Sequence, residues 1–137
     1  MAIENTLYSD LDLSLYVPPQ SDKDNDVDRD IKILKNAAAV KRSLKHLFFI
    51  EQYDVPFDST MQSSLKALLF EPVSRVIAAN IQSSIEFIVK MHEPRVTVLR
   101  TDVNINSSGD GYDIELYFSI KSLNRDENLT LLLKRAR

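Results

Sequence analysis

The sequence predicts an α+β fold in which an N-terminal extended arm and helices pack on a three-stranded antiparallel β-meander. Three observations carry that prediction. Apolar residues recur at spacings of three and four between Ala37 and His92, and the period switches to two after Arg95. The chain has two glycines, Gly109 and Gly111, and both sit in one turn between two alternating segments.

The first segment, residues 7–17, alternates apolar and polar side chains from Leu7 or Leu11 onward and reads as an extended arm. Pro18-Pro19 stops it, because proline cannot donate to a ladder. Residues 20–30 are polar, with aspartates at alternate positions from Asp22 to Asp30. A calcium-loop frame opened at Asp22 puts Val27 where the turn needs glycine and Ile33 where a bidentate glutamate is required. Opened at Asp24, the same frame meets Arg29 and Lys35. The segment is therefore read as a solvated connector, without metal.

Ile31 and Ile33 suggest a short extended piece before Asn36, a good N-cap. A helix follows from Ala37 to near Phe49, with Val40, Leu44 and Leu47 on one face. Pro56 marks a loop. Asp58 or Thr60 is expected to open a short helix with Met61, Leu65, Leu68 and Leu69 as its buried stripe. Glu71-Pro72 breaks and restarts the chain, proline being tolerated in a helix's first turn. The longest helix carries Val73, Ile77, Ile81, Ile85, Ile88 and His92 along one side, and Pro94 ends it.

Beyond Arg95, Val96 and Val98, then Val103 and Ile105, read as a strand with a bulge between Leu99 and Asp102. Residues 106–111 form a hairpin loop. Tyr112, Ile114, Leu116, Phe118 and Ile120 then point one way, while Asp113, Glu115, Tyr117, Ser119 and Lys121 point the other. After a loop from Asn124 to Asn128, Leu129, Leu131 and Leu133 mark a last strand. Such a sheet has two open edges, a liability unless another chain pairs with them. The expected organisation is an arm and acidic linker over residues 1–35 and one α+β domain over residues 36–137.

Composition narrows the function. With 137 residues there is room for one ordinary core. The net charge of −3 and the lack of a basic stripe argue against nucleic acid as a partner; only Lys134-Arg135-Ala136-Arg137 is locally basic. No cysteine is present, which removes disulfides, thiolate metal sites and cysteine nucleophiles. No signal peptide is read at the N-terminus, and the longest apolar runs, such as Leu47-Phe48-Phe49-Ile50, fall far short of the ~20 residues of a membrane span. Two glycines in one turn cannot build a phosphate-wrapping loop. His46 and His92 lack ligand-spaced neighbours, so no metal or cofactor is expected. Tyr112, Tyr117 and Phe118 read as sheet residues, since no basic surface accompanies them.

Three ordered stretches resemble the baseplate wedge family of contractile-tailed phages, the lysozyme-like group that includes the sheath initiators. They are Pro56-Phe57-Asp58 before the short helix, Leu68-Leu69-Phe70-Glu71-Pro72 at the helix junction, and Glu93-Pro94-Arg95 between the long helix and the sheet. The similarity covers roughly residues 36 to 121, and Leu7-Tyr8-Ser9-Asp10-Leu11-Asp12-Leu13 is also typical of T4-like members. One departure is Met61-Gln62, where the family commonly carries Phe-Gly.

The resemblance implies a virion protein of the tail baseplate, assembled in the host cytoplasm, present in six copies around the tail axis. It implies other baseplate wedge proteins and the tail sheath protein as partners, and neither membrane nor nucleic acid. The Glu93-Pro94-Arg95 turn is expected to face the wedge core bundle. Pairing with sheath strands is expected along Tyr112, Ile114, Leu116 and Phe118 or Leu129, Leu131 and Leu133. The same domain serves type VI secretion baseplates. A peptidoglycan hydrolase is the other alternative, but it needs two carboxyl groups about 5–10 Å apart across a sugar site. Glu51, Glu71, Glu86 and Glu93 fall mostly at helix ends or on helix faces, so no catalytic residue is assigned and an enzyme is not expected.

Overall fold

A computed structural model describes residues 6–12, 33–51 and 53–135. The expected extension of the arm through residues 13–17, the stop at Pro18-Pro19, the acidic connector, Ile31 and the last two residues of the basic tail lie outside the described residues. The chain divides into two units, Met1–Arg42 and Ser43–Arg137.

In the first unit, β1 (Ser9–Leu11) pairs antiparallel with β2 (Ile33–Lys35), Asp10 opposite Leu34. Asn36, which opens helix α1 (Ala37–Phe49), plays a different part from the expected side-chain cap. Its carbonyl does accept the first helical bond, from the Val40 N–H. Its backbone, however, is left-handed at φ 49°, and its side-chain oxygen accepts the Leu7 N–H at 2.9 Å. Asparagine tolerates that region better than most residues, and here its side chain bonds across to β1's approach, so Asn36 closes the ribbon instead of capping the helix with its side chain.

The second unit holds the rest of α1, then α2 (Leu65–Phe70), α3 (Arg75–His92) and the strands β3 (Val96–Ile105), β4 (Gly111–Ile120) and β5 (Arg125–Lys134). The three strands form an antiparallel sheet in the order β3-β4-β5. Helix α3 packs along β3, and α2 packs on α3. Ile81, Ile85, Ile88 and Val89 of α3 and Tyr112, Ile114, Leu116, Phe118 and Ile120 of β4 are buried. At about 1.5–3 kcal/mol per large apolar side chain, these residues dominate the core. The Tyr112 hydroxyl accepts the Ser74 N–H at 3.1 Å, tying the start of β4 to the start of α3.

Three boundaries differ from the sequence expectation. The short helix begins at Leu65, not near Asp58. Asp58 accepts both the Thr60 N–H and hydroxyl at 3.0 and 2.6 Å, a local turn that competes with helix formation. Pro72 lies before α3 rather than in its first turn; Ser74 is the N-cap, its hydroxyl accepting the Ile77 N–H at 3.2 Å. Finally, β5 begins at Arg125, inside the expected loop. Asn124, at φ 45°, turns the chain within four residues, and the polar stretch that follows pairs with β4 through its backbone.

The two glycines have separate roles. Gly109 takes φ 70° in the hairpin, where Asn106 accepts the Asp110 and Gly111 N–H groups on its side chain. A Cβ on Gly111 would lie 2.2 Å from the Leu133 carbonyl oxygen, so only glycine lets β5 approach that closely.

Candidate functional site

The helix-to-sheet junction is built around one buried carboxylate. Glu93 caps the C-terminus of α3, its N–H donating to the Val89 carbonyl at 2.9 Å, and Pro94 prevents another turn. The Glu93 residue is only 4% exposed. Its carboxylate accepts from Arg95 Nε at 2.5 Å, Arg95 Nη2 at 2.7 Å and the Ser43 hydroxyl at 2.8 Å. Ser43 in turn accepts from Arg95 Nη2 at 3.1 Å, which closes a ring of three side chains. Burial pushes the Glu93 carboxyl up, but the bonds from Arg95 and Ser43 outweigh it and hold it below its ordinary value. Two bonds from β4's far end complete the junction: Lys121 N–H to the Arg95 carbonyl and Lys121 Nζ to the Pro94 carbonyl, at 3.0 and 2.9 Å.

Glu93, Pro94 and Arg95 are thus brought together as the sequence suggested, with Ser43 as an unforeseen third side chain. What they present is unequal. Glu93 is turned inward, the Arg95 side chain is 35% exposed, and Pro94 is exposed.

The strand-pairing candidates separate more sharply. Tyr112, Ile114, Leu116 and Phe118 lie on β4, the central strand, paired on one side with β3 and on the other with β5. Their backbone groups are already used and their side chains are buried, so they cannot pair with another chain. This corrects the expectation for those four residues. Leu129, Leu131 and Leu133 lie on β5, which among the described residues has no strand beyond it. The Arg135 N–H donates to the Asp110 carbonyl at 2.8 Å, which sets the phase of the ladder. Alternation then directs the backbone groups of Asn128, Thr130, Leu132 and Lys134 toward the open side.

Two grooves flank α3. One, of about 1100 Å³, is bounded by Phe49, Leu69, Phe70, Phe87 and the end of β5 at Leu132 to Lys134. Phe70 and Phe87 are 67% and 64% exposed. An ion pair between Lys66 and Glu51 stands at its rim. The other groove, of about 540 Å³, lies beside β3 and includes Pro94 and Leu99. Leu99 is the extra residue of a β-bulge, since the register of β3 against β4 shifts between Val98 and Arg100.

The first groove escaped sequence reasoning, although one signal pointed to it. Phe87 falls off the buried stripe of α3. His92 lines this groove and His46 is exposed; among the described residues no group of side chains could hold a metal ion.

No protein-family model matches the chain. It is 30% identical over 122 residues to the baseplate wedge protein gp25 of Enterobacteria phage T4, covering 88% of this chain and 85% of that one. Two solved structures share the fold. A putative tail lysozyme from Geobacter sulfurreducens superposes with TM-score 0.65 at 12% identity, covering 72% of this chain and 89% of the other. A chain of the anti-feeding prophage baseplate does so with TM-score 0.53 at 18% identity, covering 78% and 75%. With an ordered set of junction motifs, this architecture and a relative matched over most of both lengths, the chain belongs to the family of phage baseplate wedge proteins.

Proposed function

We propose that this chain is a structural subunit of a contractile phage tail baseplate, docking on other wedge proteins through the Glu93-Pro94-Arg95 junction and anchoring the tail sheath by strand pairing at β5. The observation that carries the proposal is the β5 edge: ten residues in unbroken register, open on one side among the described residues, beside an apolar groove. A strand added there gains main-chain hydrogen bonds and pockets for alternate side chains. At the junction, the internal ion pair holds Pro94 and the exposed part of Arg95 in a fixed pose for a wedge partner. The family relationship supports this role, and the six-fold copy number belongs to the same proposal.

The likeness to a protein described as a tail lysozyme raises hydrolysis as a second reading. A glycosidase general acid needs a carboxyl whose proton is held above the ordinary range. Glu93, the buried carboxylate of this chain, is held below it, and Glu51 is paired with Lys66. These are the features of structural carboxylates.

A density map of the assembled baseplate, in extended and contracted tails, tests the proposal. A strand from the sheath beside residues 128–134 is expected. Solvent along that edge in both states would contradict it. Glu71→Gln with Glu93→Gln tests the second reading, since loss of peptidoglycan cleavage with assembly intact would favour the hydrolase.

A further inference from the structure

We infer that the groove beside the C-terminal half of β5 is the side-chain pocket for the strand that pairs there, and that it selects an extended segment with large apolar residues at alternate positions and a carboxylate at the end passing Lys134. The inference rests on the β5 pairing proposed above and goes further by specifying what the segment must carry.

The geometry follows from the pleat. Side chains of an added strand point alternately to the two faces of the sheet. On the face where Leu131 and Leu133 are buried, the space next to β5 is bounded by α2 and α3. Side chains of the added strand on that face therefore enter the groove, between Phe49, Phe70 and Phe87. Three aromatic side chains at 41–67% exposure around one groove form a larger apolar patch than scattered surface residues make. A groove of about 1100 Å³ exceeds one side chain, so two large ones at i and i+2 fit the spacing and the space.

Charge chooses the end. Glu51 neutralises Lys66 at the rim, and Lys134 with Arg135 brings positive charge to this end of the strand. At the opposite end of β5, Arg125 is paired with Glu127, and Asp126 adds a negative charge. The edge thus runs from acidic to basic, and a segment with its carboxylate near Lys134 complements it.

The test uses the full chain and a labelled nine-residue peptide alternating threonine with leucine or phenylalanine and ended by glutamates, with binding read by fluorescence anisotropy. Saturable binding is expected, weakened at least about tenfold by Phe70→Ser with Phe87→Ser and abolished by Leu132→Pro. A lysine-ended control peptide should bind several-fold more weakly. Thermal melting confirms that the variants fold, which the exposure of Phe70 and Phe87 favours. If the double serine variant binds like the wild type while Leu132→Pro does not, the pocket is refuted and edge pairing stands. If Leu132→Pro binds like the wild type, edge pairing itself fails. Absence of peptide binding overturns the inference. So does self-association of the chain that the serine variant cancels, which would give the groove to a second copy.

Discussion

Among the described residues β3 and β5 are the outer strands of their sheet, with the same length and the same central neighbour, yet their edges differ. β3 breaks register at Leu99, carries α3 along it, and borders the smaller groove. β5 keeps one register from Arg125 to Lys134 and borders the larger groove with its exposed phenylalanines. A bulge twists an edge and interrupts its row of outward donors and acceptors, a common protection against unwanted pairing. The contrast teaches that two edges of one sheet can differ in regularity, and the proposed pairing at β5 falls on the regular one.

The largest expected effect comes from blocking one edge at a time. In Leu132→Pro the lost N–H points away from β4, so the sheet survives while strand addition stops. Tail assembly, scored by electron microscopy of complemented lysates, should fail. The matching substitution on the other edge, Val103→Pro, should leave assembly intact. Equal failure of both would erase the distinction between the edges.

Next in size is the junction at the root of β3. Arg95→Ala leaves the Glu93 carboxylate buried without its cation, held by neutral donors such as the Ser43 hydroxyl, which should cost about 3 kcal/mol in a denaturant titration. The same pair predicts a pH dependence. The Glu93 carboxyl sits below its ordinary value when folded, so its stabilising contribution is complete above the ordinary carboxylate range. That contribution is lost as pH falls through the lowered value. The difference between wild type and Arg95→Ala should therefore shrink on acidification. A constant difference would mean that the pair adds nothing through ionisation.

Gly111→Ala acts on the root of the regular edge. Its Cβ would meet the Leu133 carbonyl at 2.2 Å, so β5 must shift. A loss of about 1–3 kcal/mol is expected, with amide exchange accelerated near Leu133 and Lys134. The smallest effect is expected from deleting Leu99. Val98 and Arg100 then follow each other in register, and β3 gains an uninterrupted edge. Stability should change by less than about 1 kcal/mol, while self-association measured by sedimentation should rise. A deletion variant that stays monomeric would show that the bulge does not protect the edge.

Much of the fold was legible because its signals are local. The alternation of β4, the stripe of α3 and the stop at Pro94 each depend on neighbours a few residues away. So does the break between Val98 and Arg100, where the inward positions change parity. The early start of β5 was not legible, because its polar residues join the ladder through backbone groups that look alike in every sequence. Asn36 and Asp58 misled for a related reason. Their side chains serve as caps or as turn formers, and the choice fell to the distant Leu7 N–H for Asn36 and to the neighbouring Thr60 for Asp58.

The sequence alone determined the apolar faces of α3 and β4, the hairpin at Gly109, and the placement of Glu93, Pro94 and Arg95 between helix and sheet. These follow from periodicity and from the backbone limits of proline and glycine, which act within a few residues. Only the tertiary structure decided that Ser43 completes the Glu93-Arg95 ring, and that Phe49, Phe70 and Phe87 border one groove beside β5. Side-chain convergence joins residues far apart in the chain, and core packing settles it.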